Sequence, residues 1–378
     1  MAVIYILALD ATRKGGAGVY TWALIENLVE RGHKVTLICH EAVNEIKEIA
    51  QVLILPKPES QIGLGMWRFA SIVQLFHYWR ELKKLKLGKP DAVIGSAQPM
   101  IVPYSLIYRS HSLIYLPHSF IAPVELESYP YGDKLQKKVA IWAYRFMEHH
   151  SLKTAKVTLR FTRSACEAFK NYYGGSGAEK IVNVTMPIKQ VNLPLSENSE
   201  RPLRLLSVGR IIKSKNLFFL IDILKAMAEK PWKLDIVGSG GEMEALRAYC
   251  HSVGLDDRVT FHGHVDNVEP FYRAAHLFVF PSLLENSPVV LLEAMSFCLP
   301  TLSFYSDNKK YIGANHEIVA HQHTGFLARD DDGFKEMLAD IIDGKMDISK
   351  IGHKAHRYVK EKHGWDRHID DLEKLIQR

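Results

Sequence analysis

Apolar positions along this chain fall into two alternating patterns. Short, nearly continuous apolar runs recur at Val3–Leu9, Lys34–Ile38, Asp91–Gly95, Leu113–Leu116, Val157–Thr162 and Ile181–Thr185. They recur again at Leu203–Val208, Lys233–Val237, Val259–Val265, Leu277–Phe280 and Thr301–Phe304. Runs of this kind read as strands buried on both faces, the habit of parallel sheets. Between them lie longer stretches with helical spacing. Val19–Arg31 sets Trp22, Leu24, Ile25, Leu28 and Val29 on one side and stops at Gly32, Ser164 reads as the cap of a further helix, and Gly364–Leu375 is amphipathic. Strand and helix in alternation predict doubly wound α/β units. Residues 186–202, with Pro187, Pro194 and a polar run, read as a linker. The expected domains are therefore 1–196 and 203–360, with a terminal helix at 365–378.

The stretch Met66–Leu87 is a strongly amphipathic helix pattern. Trp67, Ile72, Leu75, Phe76, Trp79 and Leu82 gather on one side, and Arg80, Lys83, Lys84, Lys86 and Lys89 cluster at its end. Two uses stand side by side: a core-facing helix with a solvated lysine end, and an interface for an anionic membrane surface. Charge sharpens the second. Lys and Arg exceed Asp and Glu by 24 to 17 over residues 1–200, and trail by 24 to 25 over 201–378, so the net +6 belongs to the first half. A basic domain fits an anionic partner such as a membrane, a lipid diphosphate or a nucleic acid.

A chain of 378 residues with 47% hydrophobic content can bury two domain cores. No apolar run is long enough to span a bilayer, and the N-terminus turns polar too soon for a secretory signal. Cys39, Cys166, Cys250 and Cys298 lie far apart with no C-x-x-C, which argues against a zinc site or a disulfide framework. The expectation is a cytoplasmic protein.

Two glycine turns invite a dinucleotide reading, and both fail it. From Gly16 and Gly18 the third glycine of G-x-G-x-x-G is replaced by Thr21, and from Gly238 and Gly240 by Met243. The glycines still permit close approach of a ligand to the backbone; at Gly16 a simple tight turn explains them equally well. A stronger constellation lies around HLFVFPSLLENSPVVLLEAMSFCLPT, residues 276–301. It reads as a buried strand, a loop, then a helix over Val289–Phe297 with Ser287 as N-cap and Pro288 in the first helical position. Glu285 and Glu293 frame the turn, and the helix N–H groups near Val289 and Val290 offer an anion site. Carboxylates beside an anion site suit a molecule with phosphate in one part and hydroxyls in another, as in a nucleotide sugar. Upstream, Gly209-Arg210 and Lys215 place a guanidinium fork and a point charge on the loop after a strand.

The segment ENSPVVLLEAMSFCLPT resembles the E-x7-E signature of the retaining glycosyltransferases of family 4, which usually read EGFGLVxLEAMAxGxPV. Asn286, Ser287 and Pro288 stand for Gly-Phe-Gly, and Cys298 stands for a glycine. Arg210 and Lys215 are similar to the family's diphosphate clamp, and His118 to a histidine that faces the transferred sugar. Gly313–Val319 and Thr324–Leu327 resemble the family's tail, with His316 in a proline's place. The resemblance implies an α/β fold of GT-B type, two Rossmann-like doubly wound domains with an interdomain cleft, the last helix crossing back onto the first. It implies catalytic roles for His118 and Glu285, diphosphate contacts from Arg210, Lys215, Gly16, Val289 and Val290, and ribose and sugar contacts from Glu293, Asn286, Ser287 and Pro288. Two cations and a helix end can replace a metal, so neither metal nor cofactor is expected. The implied partners are a nucleoside-diphosphate sugar and a lipid-linked or saccharide acceptor, with no nucleic acid. The setting would be bacterial surface-polysaccharide assembly at the inner face of the cytoplasmic membrane. Three alternatives remain: a different GT-B enzyme such as a sugar-nucleotide epimerase or phosphorylase, a nicotinamide oxidoreductase, and a non-catalytic nucleotide-sugar-binding protein.

Overall fold

The computed structural model describes residues 1–12, 15–58, 70–109, 112–118, 134–175, 177–191, 202–285, 287–307 and 309–377. The chain divides into two compact units. One comprises Met1–Val184 with Ile369–Arg378, and the other Thr185–His368. Most of the polar linker, 192–201, lies outside the described residues.

In the first unit β1 (Val3–Leu7), β3 (Lys34–Cys39), β5 (Gln51–Ile54), β6 (Ala92–Gly95), β7 (Leu113–Tyr115), β8 (Val157–Arg160) and β9 (Ile181–Asn183) make one sheet. Its order is β5-β3-β1-β6-β7-β8-β9, parallel at every pairing. A separate two-stranded piece joins β2 (Asp10–Ala11) to β4 (Glu41–Ala42). The apolar runs became strands because both faces are covered: Leu7, Ile38 and Val93 are buried on one face, Ile6, Leu37 and Ile94 on the other.

Three local expectations shift. The first helix spans Gly15–Glu30, so the glycines form its opening turn rather than a loop. Gly18 is required there by packing, since a Cβ would lie 2.4 Å from Asp10 Oδ1 and 3.0 Å from the Thr12 carbonyl oxygen. The helix Arg163–Tyr173 is capped by Thr162, not Ser164; the Thr162 hydroxyl accepts from the Ala165 N–H at 3.2 Å. The helix Ala70–Lys84 buries only part of its expected stripe. Tyr78 and Leu82 are buried while Phe76 is 64% and Trp79 39% exposed. The Tyr78 hydroxyl sits 2.7 Å from His40 Nε2, which fixes that rotation. Trp67 and the Ile72 side chain lie outside the described residues.

The last helix, Trp365–Gln377, buries Ile369 and Leu372. Within the first unit it is tied by Arg31 Nη1 to Asp370 at 2.9 Å and by His33 Nε2 to Glu373 Oε1 at 2.9 Å. The half-exposed Arg31–Asp370 pair contributes about 1 kcal/mol or less.

The second unit holds β10 (Leu203–Val208), β11 (Trp232–Val237), β12 (Val259–Gly263), β13 (Leu277–Phe280), β14 (Thr301–Phe304) and β15 (Phe326–Ala328). The order is β12-β11-β10-β13-β14-β15, again parallel throughout. Successive strand residues feed opposite cores: Leu205, Ile236 and Val279 pack on one side, Leu206, Val237 and Phe278 on the other. Chain order reverses between β10 and β13. Open parallel sheets leave a crevice at that point, beyond the carboxyl ends of the strands. Arg210 follows β10, and Glu285 follows β13.

Candidate functional site

The loop after β13 is held by backbone bonds to two distant segments. Leu283 donates its N–H to the Ser214 carbonyl at 2.8 Å, Ile312 to Leu283 at 2.8 Å, and Glu285 to Ile312 at 2.9 Å. Gly313 completes the seat, since a Cβ there would stand 2.4 Å from the Glu285 carbonyl oxygen. The short turn Lys213–Lys215 is thereby pressed against the strand end. Lys215 Nζ donates to Glu285 Oε1, and the Ser282 hydroxyl donates to the same oxygen. Both members of the pair are largely shielded, with side chains 19% and 11% exposed, where a charge pair is screened less than at the surface. Lys215 also lies 5.2 Å from the centre of the Phe280 ring. Arg210 is exposed and shares with Lys215, Gly209, Phe280 and Pro281 the lining of a small pocket between the two strand ends.

The glycine turn after β11 serves this loop rather than a ligand. A Cβ on Gly238 would fall 1.9 Å from the Gly209 carbonyl oxygen, and one on Gly240 2.3 Å from that of Ile211. Ile211 N–H donates to Ser239 at 3.0 Å and Glu242 N–H to Ile211 at 3.1 Å. The approach between these two loops is backbone on backbone, which only glycine allows.

The helix Val289–Ser296 starts one residue later than expected, with Pro288 in the capping position and no side-chain cap. Val289 N–H is occupied by the Ser287 carbonyl at 2.8 Å, which corrects its assignment as an open anion donor. The Ser287 hydroxyl is buried and has no hydrogen-bond partner among the described residues. Asn286 lies outside the described residues. Glu293 accepts from the Tyr272 hydroxyl at 2.8 Å. Burial of its carboxyl pushes its pKa above the ordinary 4.5, against the opposing pull of the Tyr272 bond. The folded protein therefore holds the Glu293 proton more tightly than the unfolded chain. Stability is complete below pH 4.5 and falls as pH rises through the raised folded value. Glu293→Gln should remove that loss, raising stability at neutral pH by on the order of 1 kcal/mol. Urea unfolding at neutral pH and near pH 4 measures it; a variant less stable than the parent at both would refute the assignment.

His118 and Gly16 belong to the first unit. Gly16 is exposed in the first turn of its helix, with open space where a Cβ would stand. His118 follows β7 and meets the edge of Tyr20 at 5.4 Å between ring centres. Beneath it Arg160, 1% exposed, donates from Nη1 to the Pro117 carbonyl at 3.1 Å. Burial, and then the Arg160 charge, push the His118 pKa down to about 4. The imidazole is thus neutral at physiological pH, able to accept from one hydroxyl and donate to another. Its contribution to stability is complete above the ordinary 6.5 and is lost as pH falls from there to about 4. In a proton NMR titration the His118 Cε1 resonance should stay flat between about pH 5 and 8. A midpoint near 6.5 would contradict the buried geometry.

Sequence reasoning missed Ser282, Tyr272 and Arg160. Tyr272 supports Glu293 from 21 residues away, Arg160 supports the strand end before His118 from a separate strand, and Ser282 reaches Glu285 within its own loop; no local motif marks any of them. Among the described residues no three His, Cys, Asp or Glu side chains converge as a metal site, and none of the helices is long and apolar enough to cross a membrane.

Two family profiles match the chain: "Glycosyltransferase Family 4" over residues 14–182, and "Glycosyl transferases group 1" over 202–344. An uncharacterized glycosyltransferase of Haemophilus influenzae is 28% identical over 46% of this chain and 48% of its own length. The amylovoran biosynthesis glycosyltransferase AmsD of Erwinia amylovora is 27% identical over 62% of this chain and 64% of its own. The chain thus spans about half to two-thirds of the length of these relatives. Among solved structures, Anabaena HepE in complex with UDP and glucose superposes with a TM-score of 0.72 over 100% of both chains at 17% identity.

Proposed function

This chain belongs to the glycosyltransferases of group 1 and family 4, with the GT-B fold, and we propose that it is a retaining enzyme using a nucleoside-diphosphate sugar. The observation that carries the reading is the junction of Lys215 with Glu285 at the strand-order reversal, beside Arg210. A diphosphate drawn to Arg210 competes for Lys215. As Lys215 turns to the phosphate, Glu285 is released toward the sugar near its reacting carbon. In the transfer, the bond from the anomeric carbon to the leaving phosphate oxygen breaks. A bond to the acceptor oxygen forms on the same face, and the acceptor proton passes to the leaving phosphate. Two cations meeting the developing charge can lower the barrier by several kcal/mol. Because they do so without a metal, activity is expected to survive a chelator. Glu293 accepts from ribose hydroxyls, and neutral His118 contacts a sugar hydroxyl.

For the acceptor we propose a lipid-linked or growing saccharide in surface-polysaccharide assembly; the named relative acts in amylovoran biosynthesis. The test is calorimetric titration with UDP, GDP, ADP and NAD, with Arg210→Ala beside the parent protein. One nucleoside diphosphate should bind, on the order of tenfold or more weaker in the variant. Binding of NAD instead, or of no nucleotide by folded protein, sinks the proposal. Incubation with donor sugar and no acceptor separates it from an epimerase, which would release an altered sugar.

A further inference from the structure

The helices Ala70–Lys84, Gln98–Tyr108 and Lys134–Thr154 pack on one another in the first unit. Their outer faces carry large apolar side chains. Trp142 is 62% and Phe146 52% exposed, stacked with ring centres 6.2 Å apart. Phe146 continues onto His150 at 6.3 Å, and His150 Nε2 lies 2.8 Å from the Ser105 hydroxyl of the neighbouring helix, next to exposed Leu106. On the first helix Phe76 and Trp79 stack at 6.0 Å, with Lys83 Nζ 4.9 Å from the Trp79 ring centre. Two stacked aromatic pairs held in water expose apolar area that a monomeric protein ordinarily covers.

Charge on these faces has one sign. Arg80, Lys83 and Lys84 on the first helix and Lys138, Arg145 and Lys153 on the last are exposed. The acids are withdrawn: Glu148 is fully buried, and the Glu81 side chain is 8% exposed, bonded to Arg80 and Lys84. Among the described residues of the first and last helices, every exposed charge is positive. A second copy of this face would meet like charge, which disfavours self-pairing. A nucleic acid would reward the cations and the rings, but not exposed Val73 and Leu106. An anionic bilayer rewards all of them: rings and aliphatic groups enter the boundary between headgroups and acyl chains, while lysine and arginine stay at the phosphates.

We propose that this three-helix face docks the protein on an anionic lipid surface, with Phe76, Trp79, Trp142 and Phe146 as its apolar anchors. The inference goes beyond the transferase reading and does not depend on it. The test is co-sedimentation of the full chain with vesicles of phosphatidylcholine alone and of an equimolar mixture with phosphatidylglycerol. The parent protein should partition onto the mixed vesicles and leave them at high salt. Replacing the four aromatics by serine should weaken partitioning on the order of tenfold or more, and the charge reversals R145E and K153E together by a similar factor. The reversals K335E and K350E, on the second unit, should change it little. All these side chains are exposed, so melting temperatures should match; were the serine variant to unfold, R145E with K153E carries the test alone. No binding to mixed vesicles, equal binding to neutral ones, or undiminished binding by the variants overturns the proposal. So does a variant that dissociates a dimer in the ultracentrifuge without altering vesicle binding.

Discussion

Gly238→Ala is expected to cost roughly 3–5 kcal/mol of stability, at the top of the range for a single substitution. Two independent faults coincide at this position. Its φ of +134° is one that L side chains rarely adopt, and the added methyl would stand 1.9 Å from the Gly209 carbonyl oxygen. Neither partner can give way cheaply. Gly238 N–H donates to Gly263 at 2.7 Å, and Gly209 N–H donates to Val237 at 2.9 Å, so both backbones are anchored to the sheet. A domain of this size loses about 2–4 °C per kcal/mol, which predicts a fall of roughly 6–20 °C in melting temperature. Because Arg210 follows Gly209 directly, nucleotide affinity should fall as well, even at temperatures where the variant is folded. Gly241→Ala is the control. Nothing lies within 4 Å of its Cβ position and its φ is not positive, so it should melt within about 0.5 kcal/mol of the parent. Equal melting of the two variants would show that the loops do not touch as described.

Those glycines also mark the limit of what the sequence reveals. A strand buried on both faces announces itself by an unbroken apolar run, and Leu203–Val208, Leu277–Phe280 and Thr301–Phe304 were legible to the residue. Helix boundaries were less so, because caps depend on which nearby hydroxyl reaches an open N–H. Thr162 and Ser164 compete on equal terms until the end of β8 is placed. Of the two uses left open for the stripe on the helix Ala70–Lys84, the core-facing one holds for Leu82 and fails for Phe76 and Trp79, which stack on each other outside the core, because local sequence cannot tell a buried ring from an exposed one. In the candidate site, residue types were legible and their partners were not. Gly238 read as room for a ligand because local sequence cannot show that the loop after the neighbouring strand fills the space. Cys298 adopts a φ of +57°, and the Leu299 and Cys298 N–H groups close back onto Ala294 and Met295. The left-handed helix end that glycine favours is therefore kept without it.

Lys215→Ala and Glu285→Gln should each lower turnover by on the order of 10²–10³, and their combination by little more than either alone. The non-additivity follows from one shared atom: Lys215 Nζ and the Ser282 hydroxyl both donate to Glu285 Oε1. Residues 70 apart in sequence thus act as a single device. Their effects on binding should nevertheless diverge, and that divergence separates a chemical role from a structural one. Lys215→Ala removes a phosphate ligand, so a nucleoside diphosphate should bind more weakly. Glu285→Gln removes the carboxylate charge that holds Lys215 away from an incoming phosphate. The same nucleotide should then bind as tightly as to the parent or more so, while transfer is lost. A purely structural pair would give the opposite pattern, with both variants losing stability and affinity in parallel. Paired calorimetric titrations and initial rates on the two single variants and the double variant decide between them. If Glu285→Gln weakens nucleotide binding as much as Lys215→Ala does, the carboxylate supports the fold of the loop, and another group must face the reacting carbon.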